Sequence, residues 1–378
     1  MAKHDLAGKG LSCLVPGIYC GRAMNDAKPN PTTTPAEPRA EPWAPNYAAD
    51  GRLVLALAIS DYDHVRDLTA GVVRPHGIQL VSLSLAIEEI FHRFTRYREW
   101  EVSEMSLAKY SSLISQGDPD LSGIPVFPSR VFRHSSIYVR RGGAIKEPRD
   151  LKGKRIGLPE WAQTAAVYSR GLLTDEYGIR LQDVEWIQAG VNEPGRAEKV
   201  ALRLPEGVIC RPRPDSSLDA LLREGEVDAV LSAHAPQSFE DGSPEIVRLF
   251  PDYRPVEEAY YRKTGIYPIM HVVAIRRPVL DHFPWVAKNL MDAFEAAKRR
   301  SIYRSREITA SRFPVPWIAE TAARAKELFG DDPLPYGIEP NRRTLEAFLR
   351  FAHDQGVCHR LLAPEDLFPP EVRTSFKV

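Results

Sequence analysis

The sequence changes character at Arg52, and that change constrains the fold more than any other feature. Beyond it, short apolar runs alternate with stretches whose hydrophobic residues recur at helical spacing, the pattern of a largely parallel sheet covered by helices on both faces. Residues 53–59 predict a buried first strand, followed by the polar turn Ser60-Asp61-Tyr62-Asp63-His64 and a short helix to Thr69. Residues 78–85 and 100–105 predict the next strands, separated by a helix that places Ile87, Ile90, Phe91 and Phe94 on one face. The second of these strands opens into a helix over residues 107–114.

At 378 residues the chain is longer than one typical core supports, so two lobes are expected, one of them discontinuous. Residues 124–127 and 136–140 read as further strands, the second running into Arg141-Gly142-Gly143, an exit suited to a hinge. A new unit starts at residues 147–157 and continues into a helix from Ala162 to about Tyr177. Ser217 suits the cap of a helix through Leu218, Leu221 and Leu222 that stops at Gly225, and residues 227–231 follow as a buried strand. Residues 269–275 predict the strand that returns the chain to the first lobe, which helices near 286–298 and 345–352 complete. The expected division is residues 51–141 with 272–378 for lobe one and 142–271 for lobe two. Residues 1–50, rich in Pro, Ala, Asn and Thr and without periodicity, are expected to be disordered.

Fifty Lys and Arg balance fifty Asp and Glu, so no global charge calls for nucleic acid, while a few local cations can still make a positive pocket. Cys13, Cys20, Cys210 and Cys358 are too scattered for a disulfide framework or zinc ribbon, which fits a reducing compartment. No apolar run approaches a membrane span and no signal peptide is read, so a cytoplasmic protein is expected. No GxGxxG follows a strand, which argues against flavin or nicotinamide, and no HxxxH, HxH or CxxC spacing offers metal ligands. The default expectation is no cofactor, with a divalent ion gathered from distant residues left open.

Longer words carry a more specific signal. Ala58-Ile59-Ser60-Asp61-Tyr62-Asp63-His64, Phe127-Pro128-Ser129-Arg130-Val131-Phe132-Arg133-His134-Ser135, Pro159-Glu160-Trp161-Ala162-Gln163-Thr164, Gly190-Val191-Asn192-Glu193-Pro194-Gly195-Arg196 and Pro268-Ile269-Met270-His271 stand over most of the chain after Leu53. With the entry at residues 148–154 and the Val227-Asp228-Ala229 strand, the sequence resembles the 4,5-dihydroxyphthalate decarboxylase family. That resemblance implies an α/β, two-lobed, type II periplasmic-binding-protein-like fold with a ligand cleft between lobes. It also implies non-oxidative loss of carbon dioxide from a hydroxylated aromatic dicarboxylate, and by analogy a homo-oligomer.

Such chemistry needs a general acid at the ring carbon, an acceptor near the catechol oxygens, and cations for the carboxylate that stays. Arg130 or Arg133 suits the carboxylate clamp, because a guanidinium fork matches a carboxylate in two hydrogen bonds; an ordinary ion pair is the competing reading. His134 is the expected proton donor, against a core histidine bonded to backbone. Asp61 and His64 follow the first strand, where open α/β sheets bind ligands, although Asp61 also suits a helix cap. Glu104 and Lys109 occupy the equivalent place after Val102, or form a solvated ion pair. Trp161, Gln163 and Thr164 open a helix whose free N–H groups favour an anion, with Trp161 able to stack on a ring or simply fill the core. Asn192 and Arg196 follow another strand, and His271 lies at the crossing between lobes. The competing functions are a non-catalytic binding protein for an aromatic carboxylate, in transport or sensing, and a different reaction on the same fold.

Overall fold

A computed structural model of the chain describes residues 43–374. The expected disorder of residues 1–50 therefore falls mainly outside the described residues. Its last part is corrected, because β1 (Asn46–Tyr47) pairs antiparallel with β2 (Leu53–Ala58). Trp43 anchors this start: its ring packs edge-on against His282 and Phe283, and its indole N–H donates to Glu101 at 3.3 Å.

The strands divide between two six-stranded sheets. The first holds β1, β2, β3 (Ile78–Leu83), β4 (Val102–Ser106) and β5 (Leu121–Ile124). The second holds β6 (Ile137–Arg140), β7 (Arg155–Leu158), β8 (Glu185–Gly190), β9 (Ile209–Ser217), β10 (Ala229–Leu231) and β11 (Ile246–Arg248). The chain then returns, and β12 (His271–Arg276) inserts between β4 and β5 of the first sheet, antiparallel to both. Around these strands the helices fall near their expected places. Ser217 caps its helix by accepting from Ala220 N–H at 3.2 Å, and Gly225 ends it in the left-handed conformation that glycine takes most readily.

Two expectations about the division are corrected. The strand over Ile137–Arg140 belongs to the second sheet, where it pairs with β10 and β11, so the crossing precedes it rather than occupying Arg141-Gly142-Gly143. Outgoing and returning strands of the crossing are tied together by a bridge between Arg130 and Ile269 and by bonds from Val131 N–H to Pro268 and from Met270 N–H to Ser129. The carboxy-terminal segment also does not confine itself to the first sheet. Its helix Arg342–Asp354 packs on Thr164–Tyr177, with Phe351 lying against Gly171, and the Gln355 carbonyl accepts from the Trp161 indole at 2.8 Å. Among the described residues no helix is long and apolar enough to cross a membrane.

Sheet geometry decides what meets at the cleft. β2 and β4 run parallel, while β12 runs opposite to them, so the carboxyl ends of β2 and β4 lie beside the amino end of β12. In the register of β4 with β12, Ser106 faces His271 and Glu104 faces Val273. Directly opposed residues share a face of the sheet, which makes Glu104 and His271 diagonal neighbours on that face, within reach of long side chains. In the second sheet, the carboxyl ends of β7, β8 and β10 lead to Glu160, Asn192 and His234 respectively.

The Gly171 contact supplies a test of the helix packing. An alanine there gains roughly 1 kcal/mol of helix propensity, but its Cβ would sit 2.5 Å from the Phe351 ring, and overpacking of this kind costs about 1–3 kcal/mol. Gly171→Ala should therefore lower the urea midpoint rather than raise it.

Candidate active site

A cleft lies where these strand ends converge, lined from both sheets. The first-sheet side supplies Glu88, Phe91, Ser106, Lys109, Met270 and His271, and the second-sheet side supplies Glu160, Gln163, Thr164, Arg196, Lys199 and His234. Arg133, in the crossing segment, completes it.

At the cleft edge Glu104 is fully buried and accepts three hydrogen bonds: Ser60 N–H at 3.0 Å, Tyr62 O–H at 2.6 Å and His271 Nδ1 at 2.6 Å. Burial pushes its carboxyl up, but the His271 hydrogen bond and charge, with Tyr62 and Ser60, outweigh burial and hold it below the ordinary range. The carboxylate is thus ionised and must receive the Nδ1 proton, which leaves Nε2 for the cleft. His271 is its only cationic partner within ion-pair distance among the described residues. Phe91 meets the imidazole edge-on, with centroids 4.9 Å apart.

Across the cleft, Glu160 gathers the basic side chains. Lys109 approaches it at 2.6 Å, Arg196 Nε at 2.5 Å and Lys199 at 3.5 Å. Burial raises the Glu160 carboxyl, yet these three cations more than compensate and keep it ionised. Arg196 also bridges to Glu88 at 3.0 Å, which His234 approaches at 3.7 Å. Lys109 and Glu104 therefore do not form the solvated pair entertained from sequence; each has a partner from another strand end. Thr164 bonds Ser106 Oγ at 2.9 Å and accepts from Ala108 N–H at 3.0 Å, tying the first turn of the second-sheet helix to the first sheet. Gln163 precedes that helix, and its buried Oε1 has no partner among the described residues.

The sequence candidates separate accordingly. His271, Lys109, Gln163, Thr164, Arg133 and Arg196 line the cleft; Asn192 sits at its mouth, where its side chain accepts from Gln237 N–H at 2.8 Å. Arg130 is corrected: its guanidinium donates to the Tyr267 and Pro335 carbonyls and to Asn341, so it holds backbone together instead of facing ligand. Trp161 is also corrected, being buried between Arg170 and Trp186 with its N–H on Gln355; Phe91 is the aromatic ring at the cleft. His134 lies against Phe250 and Tyr260, and burial lowers it to about 4, which leaves it neutral and unfit as a proton donor near pH 7. Asp61 is exposed and does not cap the following helix, whose cap position falls on Tyr62. His64 packs on Tyr62, and burial lowers its basicity.

Tyr62, Glu160, Phe91, Glu88, Lys199 and His234 were not among the sequence candidates. Tyr62 and Glu160 lie just after strands, so the strand-end rule that singled out Asp61 and His64 covered them too. For Lys199 the sequence holds no signal, since it reaches Glu160 from an irregular segment. Among the described residues no group of three His, Cys, Asp or Glu side chains is arranged to hold a metal ion.

Two α/β lobes joined by a paired crossing, with a cleft at facing strand ends, define the periplasmic-binding-protein fold. A putative periplasmic sulfonate-binding protein SsuA from Methylobacillus flagellatus KT superposes with a TM-score of 0.51 at 14% identity, covering 84% of this chain and 92% of that one. Sequence comparison goes further. A 4,5-dihydroxyphthalate decarboxylase from Comamonas testosteroni is 37% identical over 328 residues, 86% of this chain and 99% of the relative. One from Pseudomonas putida is 39% identical over 212 residues, 56% of this chain and 82% of the relative. Residues 131–197 also match the NMT1/THI5-like family model. The chain belongs to the 4,5-dihydroxyphthalate decarboxylase family.

His134 gives a pH test independent of activity. Its folded pKa lies below the ordinary histidine value of 6.5, so its contribution to stability is present above pH 6.5 and is lost as pH falls toward about 4. Between pH 7 and pH 5 this group should cost the wild type on the order of 2 kcal/mol. Urea unfolding of His134→Leu should lose that increment of pH dependence.

Proposed function

We propose that the chain catalyses the non-oxidative decarboxylation of 4,5-dihydroxyphthalate to protocatechuate and carbon dioxide, with His271 delivering the proton. The carbon that loses carbon dioxide lies para to a hydroxyl. Protonating that carbon makes a cationic ring that the para oxygen stabilises; the carbon–carboxylate bond then breaks, its electron pair restores aromaticity, and neutral carbon dioxide leaves. Net, one proton replaces one carboxylate, so no oxidant is required.

The observation that carries this reading is the Glu104–His271 pair at the cleft edge. An ionised, buried carboxylate on Nδ1 fixes the ring, and Nε2 is the nitrogen left to exchange a proton with a bound ligand. Tyr62 and Ser60 keep the carboxylate satisfied after the proton has left, so Glu104 need not take it up. Phe91 and the cleft's basic side chains suit a flat, anionic aromatic ring. A purely ligand-binding role is not favoured, because both curated relatives are named decarboxylases.

Purified protein mixed with 4,5-dihydroxyphthalate should release carbon dioxide and protocatechuate in equal amounts, and treatment with a chelator should leave the rate unchanged. Binding without product would refute the reading; chelator loss restored by a divalent cation would refute the metal-free acid route. His271→Asn should lower kcat by about 100-fold or more, the usual worth of a positioned general acid. Glu104→Gln should also lower kcat, since the imidazole loses the carboxylate that fixes its ring.

A further inference from the structure

The diacid proposed as substrate is symmetric, so its two carboxylates are chemically identical and only the site can decide which one leaves. The charges around the cleft are unevenly matched. Lys109, Arg196 and Lys199 all lie within ion-pair distance of Glu160. Arg133 lines the same cleft, is only 6% exposed, and has no carboxylate within ion-pair distance among the described residues. Its Nη1 reaches Ser136 Oγ at 3.4 Å, its Nη2 contacts Met270 Sδ, and its Nε has no acceptor. Glu257, whose charge acts on Arg133 from beyond ion-pair distance, is engaged by Ser135 N–H at 3.1 Å.

A buried guanidinium with no carboxylate in ion-pair contact is costly to the fold unless something arrives to pair with it. Met270, which it touches, directly precedes His271 in β12, so this unmet cation stands beside the proposed acid. Resting on the reading above, we propose that Arg133 binds the carboxylate that the substrate keeps, and thereby presents the neighbouring ring carbon, with the other carboxylate, to His271. The assignment to the retained group follows from the charge change. A carboxylate becoming carbon dioxide gives up its negative charge, so a guanidinium paired with it stabilises the ground state more than the transition state and slows the reaction. A carboxylate that stays keeps its pairing throughout. The same arrangement makes the enzyme stop after one decarboxylation, because the product's single carboxylate is the one held by Arg133 and no second carboxylate faces His271.

Two ligands test this. Phthalate, which lacks the hydroxyls, should bind the wild type, and calorimetry should show on the order of 30-fold or greater weakening in Arg133→Gln, the factor corresponding to the ~2 kcal/mol minimum for removing one partner of a buried charge pair. Arg133→Lys should restore part of the affinity. The ligand-free Arg133→Gln protein should melt no lower than wild type, which separates lost recognition from lost folding. The monomethyl ester of 4,5-dihydroxyphthalate should inhibit competitively and release no carbon dioxide, its free carboxylate occupying Arg133. Equal phthalate affinity in wild type and Arg133→Gln, or turnover of the monoester at the diacid rate, would overturn the inference. Absence of carbon dioxide from the diacid itself would instead overturn the decarboxylation reading, while the phthalate titrations would still report on Arg133.

Discussion

A carboxylate sealed from water with one cation in reach is the constraint on which the site depends. Glu104 has no solvent exposure, and its three donors are a backbone N–H, a phenol and an imidazole. Two neutral donors alone do not offset the desolvation of a charge, so the carboxylate's ionised state depends on the imidazole beside it. Removing either partner leaves the other in an environment built for a pair. The backbone imposes this meeting: β12 must run antiparallel to β4 for its first residue to reach the edge where β4 ends.

The opposite side of the cleft follows a different electrostatic rule. Glu160 is buried like Glu104 but sits among Lys109, Arg196 and Lys199, so it acts as a hub that keeps basic side chains oriented. Arg196 extends this network to Glu88 on the first-sheet side. The cleft therefore presents the Glu104–His271 pair at one edge, a neutralised basic wall at the other, and Arg133, with no carboxylate in ion-pair contact, in the crossing between them. These are the features that the proposed aromatic diacid would meet with different parts of itself.

Much of this was legible in sequence, and the failures have physical causes. The alternation of apolar runs with helical periodicity located most strands, because burial on both faces demands it regardless of distant contacts. Lobe membership was less legible: Ile137–Arg140 reads as a strand in either lobe, and only pairing with β10 and β11 decides. Strand-end logic reached Lys109 and Arg196, and the crossing between lobes pointed to His271. Side-chain chemistry alone failed for Arg130 and His134, which lie in the same word as Arg133, because neighbours in an irregular segment point in different directions. Arg130 turns toward carbonyls, His134 toward Phe250 and Tyr260, and Arg133 toward the cleft. Glu104 and His271 are 167 residues apart, and nothing in their local sequences announces a bond between them.

The central claim is that an ionised Glu104 accepts a hydrogen bond from His271 Nδ1, which leaves Nε2 to the cleft. Neutron diffraction from deuterium-exchanged crystals at neutral pH, with unreactive phthalate in the cleft, reads that proton directly. The account predicts deuterium on His271 Nδ1 and none on the Glu104 carboxylate. Deuterium on Glu104, or an Nδ1 that carries none, would contradict it.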